Sequence, residues 1–210
     1  MFPLYDLNHA RRPAFVVKGL VLANALAFLL ELSLGPEAVI QAYGFIPALF
    51  FQDPWGEGYR LFTSMFLHGG FFHLLSNMWF LWVFGDNVED RMGHGRFLLF
   101  YLLGGVAAAL AQGLFMPTSP VPMIGASGAV SAVLGAYYVL FPRAYVVSLV
   151  PFIFPLFVTF PAGVYLGYWA FLQLLQGLMG LPGGAWWAHL GGFLFGALAG
   201  PRWVRRTKRW

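Results

Sequence analysis

Six separate stretches of this chain are long and apolar: about Phe15–Leu34, Gly70–Gly85, Phe97–Phe115, Gly125–Phe141, Leu156–Met179 and Gly184–Trp203. A helix needs about 20 predominantly apolar residues to cross the hydrocarbon core of a bilayer. In lipid every backbone polar group must be paired within the protein, which leaves helices as the form for segments of this kind. The expected architecture is all-α, a polytopic membrane bundle of six transmembrane helices forming one domain over residues 1–210. Composition agrees, because only 10% of residues are charged, against about 25% in soluble domains. No small-residue cleavage site punctuates the first run, so it reads as a retained helix rather than a signal peptide.

Two stretches need separate treatment. Tyr145 to Met179 is too long for one straight span and is punctuated by Pro151, Pro155 and Pro161. Proline removes a donor and clashes with the preceding turn. Its first part therefore reads as an interfacial connector and the part near or after Pro155 as the helix. The connection from Gly35 to Arg60 is the longest loop, and a loop of that length is expected to carry structure of its own.

Orientation follows from the cations. Arg11, Arg12, Lys18, Arg91, Arg96, Arg143, Arg202, Arg205, Arg206, Lys208 and Arg209 fall on one side, and Arg60 alone on the other. Both termini are expected in the cytoplasm, an even number of spans agrees with their sharing one side, and a bacterial cytoplasmic membrane is the expected location. The basic tail with Trp203 and Trp210 reads as an interfacial anchor rather than a nucleic-acid site. The chain has no cysteine, which excludes disulfides and thiol chemistry.

Ionisable and polar groups inside a membrane are functional candidates by default. Ser127 lies in Gly125-Ala126-Ser127-Gly128, where the fourth apolar run begins. A serine at a helix N-terminus meets unpaired N–H groups and the positive end of the dipole. An ordinary N-cap would look the same. His189 shares a helix face with Gly192 and Gly196, and small stripes let membrane helices pack closely. Ser127, Ser131 and Gly135 form a comparable stripe. The economical pairing sets span six against span four, with His189 beside Ser127. The plainer alternative is an interhelical hydrogen bond without catalysis. His73 and Asn77, at i and i+4, share a face and can aim two donors at one point as an oxyanion site, or can simply join helices. Gln112, Gln173 and Gln176 are single amides near span ends.

All eight acidic residues lie at or before Asp90. A Ser-His dyad is therefore simpler than a Ser-His-Asp triad. His68, His73 and His189 could in principle meet around zinc, but no metal-binding signature accompanies them.

Several pieces together resemble the rhomboid intramembrane serine proteases: Tyr59-Arg60-Leu61-Phe62-Thr63, His68, His73-x-x-x-Asn77, Glu89-x-Arg91, Gly125-Ala126-Ser127-Gly128 and Ala188-His189-x-x-Gly192-x-x-x-Gly196. They occur in family order and spread over most of the chain. The resemblance implies a six-helix fold with the active site below the outer membrane surface. It implies Ser127 as nucleophile and His189 as general base, with the oxyanion held by His73, Asn77 and the Ser127 N–H. It also implies that Arg60 orders the first loop and that Glu89 and Arg91 form a structural polar network. Tyr59 stands where Trp is familiar. Ser131 stands where some members place an aromatic against the base, which leaves the orientation of His189 less determined. Ser76 stands where some members have a gate Phe opposite a residue such as Trp169.

The expected function is hydrolysis of transmembrane segments of membrane-protein substrates, with no cofactor and no metal. The alternatives are a catalytically silent rhomboid-like binding or quality-control factor, and a small-solute transporter. Paired broken helices in two matching halves would support a transporter, and no such symmetry is visible in the sequence.

Overall fold

The computed structural model describes residues 1–150 and 155–205. Pro151 and the tail residues Arg206, Lys208, Arg209 and Trp210 lie outside the described residues. The fold is mostly helical. Helix α1 (Phe15–Leu34) is followed by four short helices in the first loop, α2 (Pro36–Tyr43), α3 (Pro47–Gln52), α4 (Pro54–Glu57) and α5 (Arg60–Thr63). Prolines at the first turn of α2, α3 and α4 explain why this loop breaks into short pieces, since proline suits the first helical position and disrupts interior ones. The long elements then follow: α6 (Phe71–Met92), α7 (His94–Phe115), α8 (Ser127–Leu140), α9 (Ala162–Leu178) and α10 (Trp186–Trp203).

By length and composition, α1 and α7 are each apolar enough to cross a membrane unaided. The other long helices depart from that ideal for visible reasons. α6 ends in Asp86, Glu89, Asp90 and Arg91, α8 has 14 residues, and α9 has 17. α10 mixes three tryptophans with four glycines and carries Pro201 and Arg202.

The outer surface is apolar in the manner of a lipid-facing belt. Leu22, Leu26, Leu29 and Leu30 on α1, Phe171 on α9, and Leu194 and Leu198 on α10 are all exposed. A soluble monomer rarely presents so many large apolar side chains on adjoining faces. The interior holds Phe84, Phe97, Phe100, Tyr101, Leu134 and Tyr137, each with essentially no exposure.

An all-α expectation needs one correction. A three-stranded antiparallel sheet in the order β1-β2-β3 joins β1 (Phe2–Asp6), β2 (Tyr145–Val150) and β3 (Leu156–Pro161). The fifth span, expected from Leu156, therefore starts as a helix only at Ala162. Its first six residues pair with β2 from Leu156↔Val150 to Pro161↔Tyr145. Sequence periodicity could not separate strand from helix in a run that is apolar at nearly every position. The sheet is tied to the helices through Asp6, which accepts the Tyr137 O–H and an N–H of Asn87 at 2.9 Å. Burial is the main cause that pushes the Asp6 carboxyl up to about 6, against the opposing Tyr137 hydrogen bond.

Candidate active site

The packing of α8 against α10 is the most extensive helix contact in the fold. It rests on missing side chains. A Cβ on Gly192 would strike the Gly128 carbonyl oxygen, one on Gly196 the Ala132 carbonyl oxygen, and one on Gly135 the Phe193 carbonyl oxygen. A Cβ on Gly128 would in turn press on Ala108 of α7. The two backbones thus touch over two turns, as the stripes of small residues led one to expect.

That contact brings Ser127 and His189 together across 62 residues of sequence. Ser127 Oγ lies 2.9 Å from His189 Nε2. Ser127 is the first residue of α8, so its amide belongs to the N-terminal N–H groups that a helix leaves unpaired. Around the imidazole, Trp169 lies at 6.1 Å and Trp186 at 6.0 Å between ring centroids. On the far edge, His189 Nδ1 lies 2.7 Å from Gln173 Oε1. Gln112 Oε1 accepts the Ala188 N–H at 3.1 Å, pairing one amide of the first turn of α10 beside the histidine.

His73 and Asn77 face the same place from α6. A Cβ on Gly125 would stand 2.8 Å from His73 Nε2 and 3.6 Å from Asn77 Nδ2. Gly125 has φ +117°, a conformation that glycine adopts and side chains resist. The Asn77 Nδ2 donor is buried without a hydrogen-bond partner among the described residues. The Gly69 N–H points at His73 Nδ1 across a long 3.4 Å. An imidazole that accepts on Nδ1 carries its proton on Nε2, the nitrogen facing Gly125. A buried amide donor left open costs free energy, and such groups persist where a ligand atom can complete them.

The backbone leading into Ser127 is held by the first loop, a connection the sequence did not reveal. Phe45 and Met123 exchange two backbone hydrogen bonds, at 3.0 and 2.7 Å, and the Gly125 N–H donates to Ser64 O at 2.9 Å. Arg60 stands behind this. Its Nη1 donates to Gln41 O at 2.7 Å and Gly44 O at 3.0 Å, and its guanidinium pairs with Glu57. The arginine thus fixes the residue next to Phe45, and Phe45 fixes the strand that delivers the serine.

Glu89 and Arg91, which the resemblance places in a structural polar network, engage different partners. Glu89 accepts the Val16 and Val17 N–H groups at 2.9 and 2.8 Å, capping the start of α1, and lies 2.5 Å from His94 Nδ1. Arg91 instead sets its guanidinium over the Phe141 ring at 6.0 Å. His68 is fully buried beside His73, their ring centroids 5.2 Å apart, and its backbone N–H donates to Glu31 at 3.0 Å. Burial, with repulsion from His73 second, pushes His68 down to about 4, so it is neutral. Among the described residues no three His, Asp or Glu side chains converge as metal ligands would.

Residues 55–206 match the family model described as the rhomboid domain. The chain belongs to the rhomboid family. This rhomboid is 38% identical over 127 residues to Rhomboid protease GluP of Bacillus subtilis, covering 60% of the chain and 24% of that protein. It is 32% identical over 143 residues to Rhomboid protein 1, mitochondrial, of Saccharomyces cerevisiae, covering 65% of the chain and 39% of that protein. It is 32% identical over 151 residues to RHOMBOID-like protein 4 of Arabidopsis thaliana, covering 69% and 34%. The chain therefore spans 24% to 39% of the length of these relatives. Membership makes it a membrane-embedded protein. The family includes both named proteases and proteins named only as rhomboid-like, so the chemistry must be argued from the site.

Proposed function

We propose that this rhomboid is an intramembrane serine endopeptidase that cleaves transmembrane segments of membrane-protein substrates. The observation that carries this is the 2.9 Å approach of Ser127 Oγ to His189 Nε2, with the other ring nitrogen already engaged. A nucleophile, a base in reach and a group that holds the base form the general signature of an activated serine. In the proposed reaction His189 Nε2 takes the Ser127 proton as Oγ bonds to a peptide carbonyl carbon. The same proton then passes to the leaving amine as the C–N bond breaks, and water hydrolyses the acyl-enzyme. The test is cleavage of a fluorescent transmembrane substrate by the detergent-purified protein, with Ser127→Ala as comparison. A catalytically silent binding factor would leave both proteins equally inert.

His73 Nε2, Asn77 Nδ2 and the Ser127 N–H are proposed as the oxyanion donors, because the two side chains converge beside Gly125. Loss of one such donor costs about 10²–10³ in rate in soluble proteases, and sharing among three should make each single loss smaller. His73→Ala and Asn77→Ala should therefore lower kcat more than they change KM. A double variant that cleaves as fast as wild type would remove both residues from this role.

The proposed arrangement is one domain of six membrane crossings, formed by α1, α6, α7, α8, α9 and α10, with both termini cytoplasmic in a bacterial inner membrane. Six apolar runs correspond in order to these six helices. The pairing of β1 with β2 supports the crossing number, since it holds the N-terminal segment and the α8–α9 connection on one face. Four crossings lie between them, as a shared face requires. Eleven of the twelve Lys and Arg residues fall on the same side in this arrangement. A tag at either terminus should resist external protease in sealed cells, while a tag in the first loop near Trp55 should be removed. Digestion of either terminal tag would overturn this topology.

A further inference from the structure

A histidine that activates a serine must present its lone pair on the nitrogen facing the hydroxyl, and the partner of the other nitrogen decides whether it does. In soluble triads a carboxylate fills that place. Here no acidic residue follows Asp90, and an anion buried in a membrane would be costly. The group at His189 Nδ1 is the side-chain oxygen of Gln173, at 2.7 Å. Gln173 is 8% exposed, so little water competes for that contact.

We propose that Gln173 is the positioning residue of a Ser127–His189–Gln173 relay, a neutral acceptor that selects the imidazole tautomer able to act as base. This rests on the reading of Ser127 and His189 as the catalytic pair. An amide oxygen can only accept, so Nδ1 must carry the proton and donate it to Gln173. Nε2 then holds the lone pair, and at 2.9 Å the Ser127 O–H donates to it. Trp169 and Gln173 are at i and i+4 on α9 and share one face. The indole packs against the imidazole at 6.1 Å and the amide bonds its edge. Ser131, one turn after the nucleophile, gives no support to the ring, because its hydroxyl donates to the Ser127 carbonyl at 2.6 Å. The orientation of the base is thus supplied from α9 rather than from α8. Among the described residues, His73 on α6 is the ionisable neighbour of His189.

The test uses the full chain in detergent with two substitutions and two readouts. Gln173→Met keeps length and volume but removes the acceptor. Its kcat should fall by about 10-fold or more, within the 10²–10⁴-fold that a general base supplies, with KM nearly unchanged. Gln173→Glu sets a carboxylate against Nδ1 and so favours the imidazolium. Since the base must be neutral to work, the acid limb of the kcat/KM profile should move to higher pH, by about 1–3 units for an opposite charge at this range. The second readout needs no cleavage. In histidine-¹⁵N-labelled Ser127→Ala protein, with His189 assigned by its loss in a Ser127→Ala/His189→Ala double variant, the proton should sit on Nδ1 and should leave that fixed position in Gln173→Met. A proton on Nε2 with Gln173 present would overturn the assignment. So would full activity in Gln173→Met, or an unmoved acid limb in Gln173→Glu, in a protein whose wild type cleaves through Ser127. If the wild type cleaves nothing, the protease reading fails, and the tautomer measurement alone decides whether Gln173 orders His189.

Discussion

Ser127→Ala and His189→Ala should each reduce cleavage to background, and the double variant should be no worse than either one. The 2.9 Å contact makes the two side chains one device, because the hydroxyl is a poor nucleophile until the imidazole takes its proton. Removing the serine or the histidine from a soluble serine protease costs about 10⁶ in kcat, and the losses do not add. Non-additivity is the sharper part of the expectation. If the two residues merely joined α8 to α10, each variant would lose stability in proportion to its own packing and retain turnover. Both side chains are partly exposed at the mouth of the contact, so truncating them should leave the helical fold in place. The measurement is turnover of a transmembrane substrate at matched folded protein, with thermal unfolding as the control. Turnover in either single variant above a few per cent of wild type would remove that residue from the chemistry.

The pair was legible in the sequence because two independent patterns pointed at it. Ser127 stood at the start of an apolar run behind extended, proline-rich chain, and His189 shared a stripe with Gly192 and Gly196. A glycine stripe carries information about a partner helix, since only a second backbone needs that space. Gln173 carried no comparable mark. It appeared as one of three amides near span ends, and it lies on a different helix from His189, so no periodicity within one element links the two. Nothing local distinguishes the glutamine that meets Nδ1 from Gln112, which caps Ala188 instead. The sheet was hidden for a different reason. Tyr145–Val150 and Leu156–Pro161 are apolar on both faces, so the alternation that marks a half-exposed strand is missing. The Phe45–Met123 pairing, which fixes the approach to Ser127, joins residues 78 apart in two loops. Neither loop carries a pattern that names the other. Glu89 and Arg91 take different partners because residues at i and i+2 point to different faces of a helix. That geometry sends Glu89 to the start of α1 and Arg91 to Phe141.

Gly196→Leu should abolish the proposed cleavage although it touches no reacting atom, while Leu194→Ala should be tolerated. Gly196 lies two turns below His189 on the same face of α10, about 10 Å away along the axis at 1.5 Å per residue. A Cβ there would overlap the Ala132 carbonyl oxygen and come within 2.9 Å of its Cα. Those are backbone atoms in the middle of α8, so no rotamer change can make room. The helices must separate or tilt, and a tilt pivoting near Gly196 is magnified at the end where His189 meets Ser127. A misplacement of about 1 Å between reacting groups can cost about 10²-fold in rate, and a leucine demands more than that. Gly196→Ala adds only the first carbon and should give an intermediate loss, ordering the series by the space each side chain takes. Leu194 is two residues away on the outer face, 57% exposed, where truncation removes only a lipid-facing group. The comparison is turnover of the three variants at matched folded protein, with the distance between spin labels on α8 and α10 as a structural readout. Equal activity in Gly196→Leu and Leu194→Ala would mean that His189 does not reach Ser127 through this backbone contact. Loss of activity with an unchanged label distance would mean that Gly196 acts by some route other than helix separation.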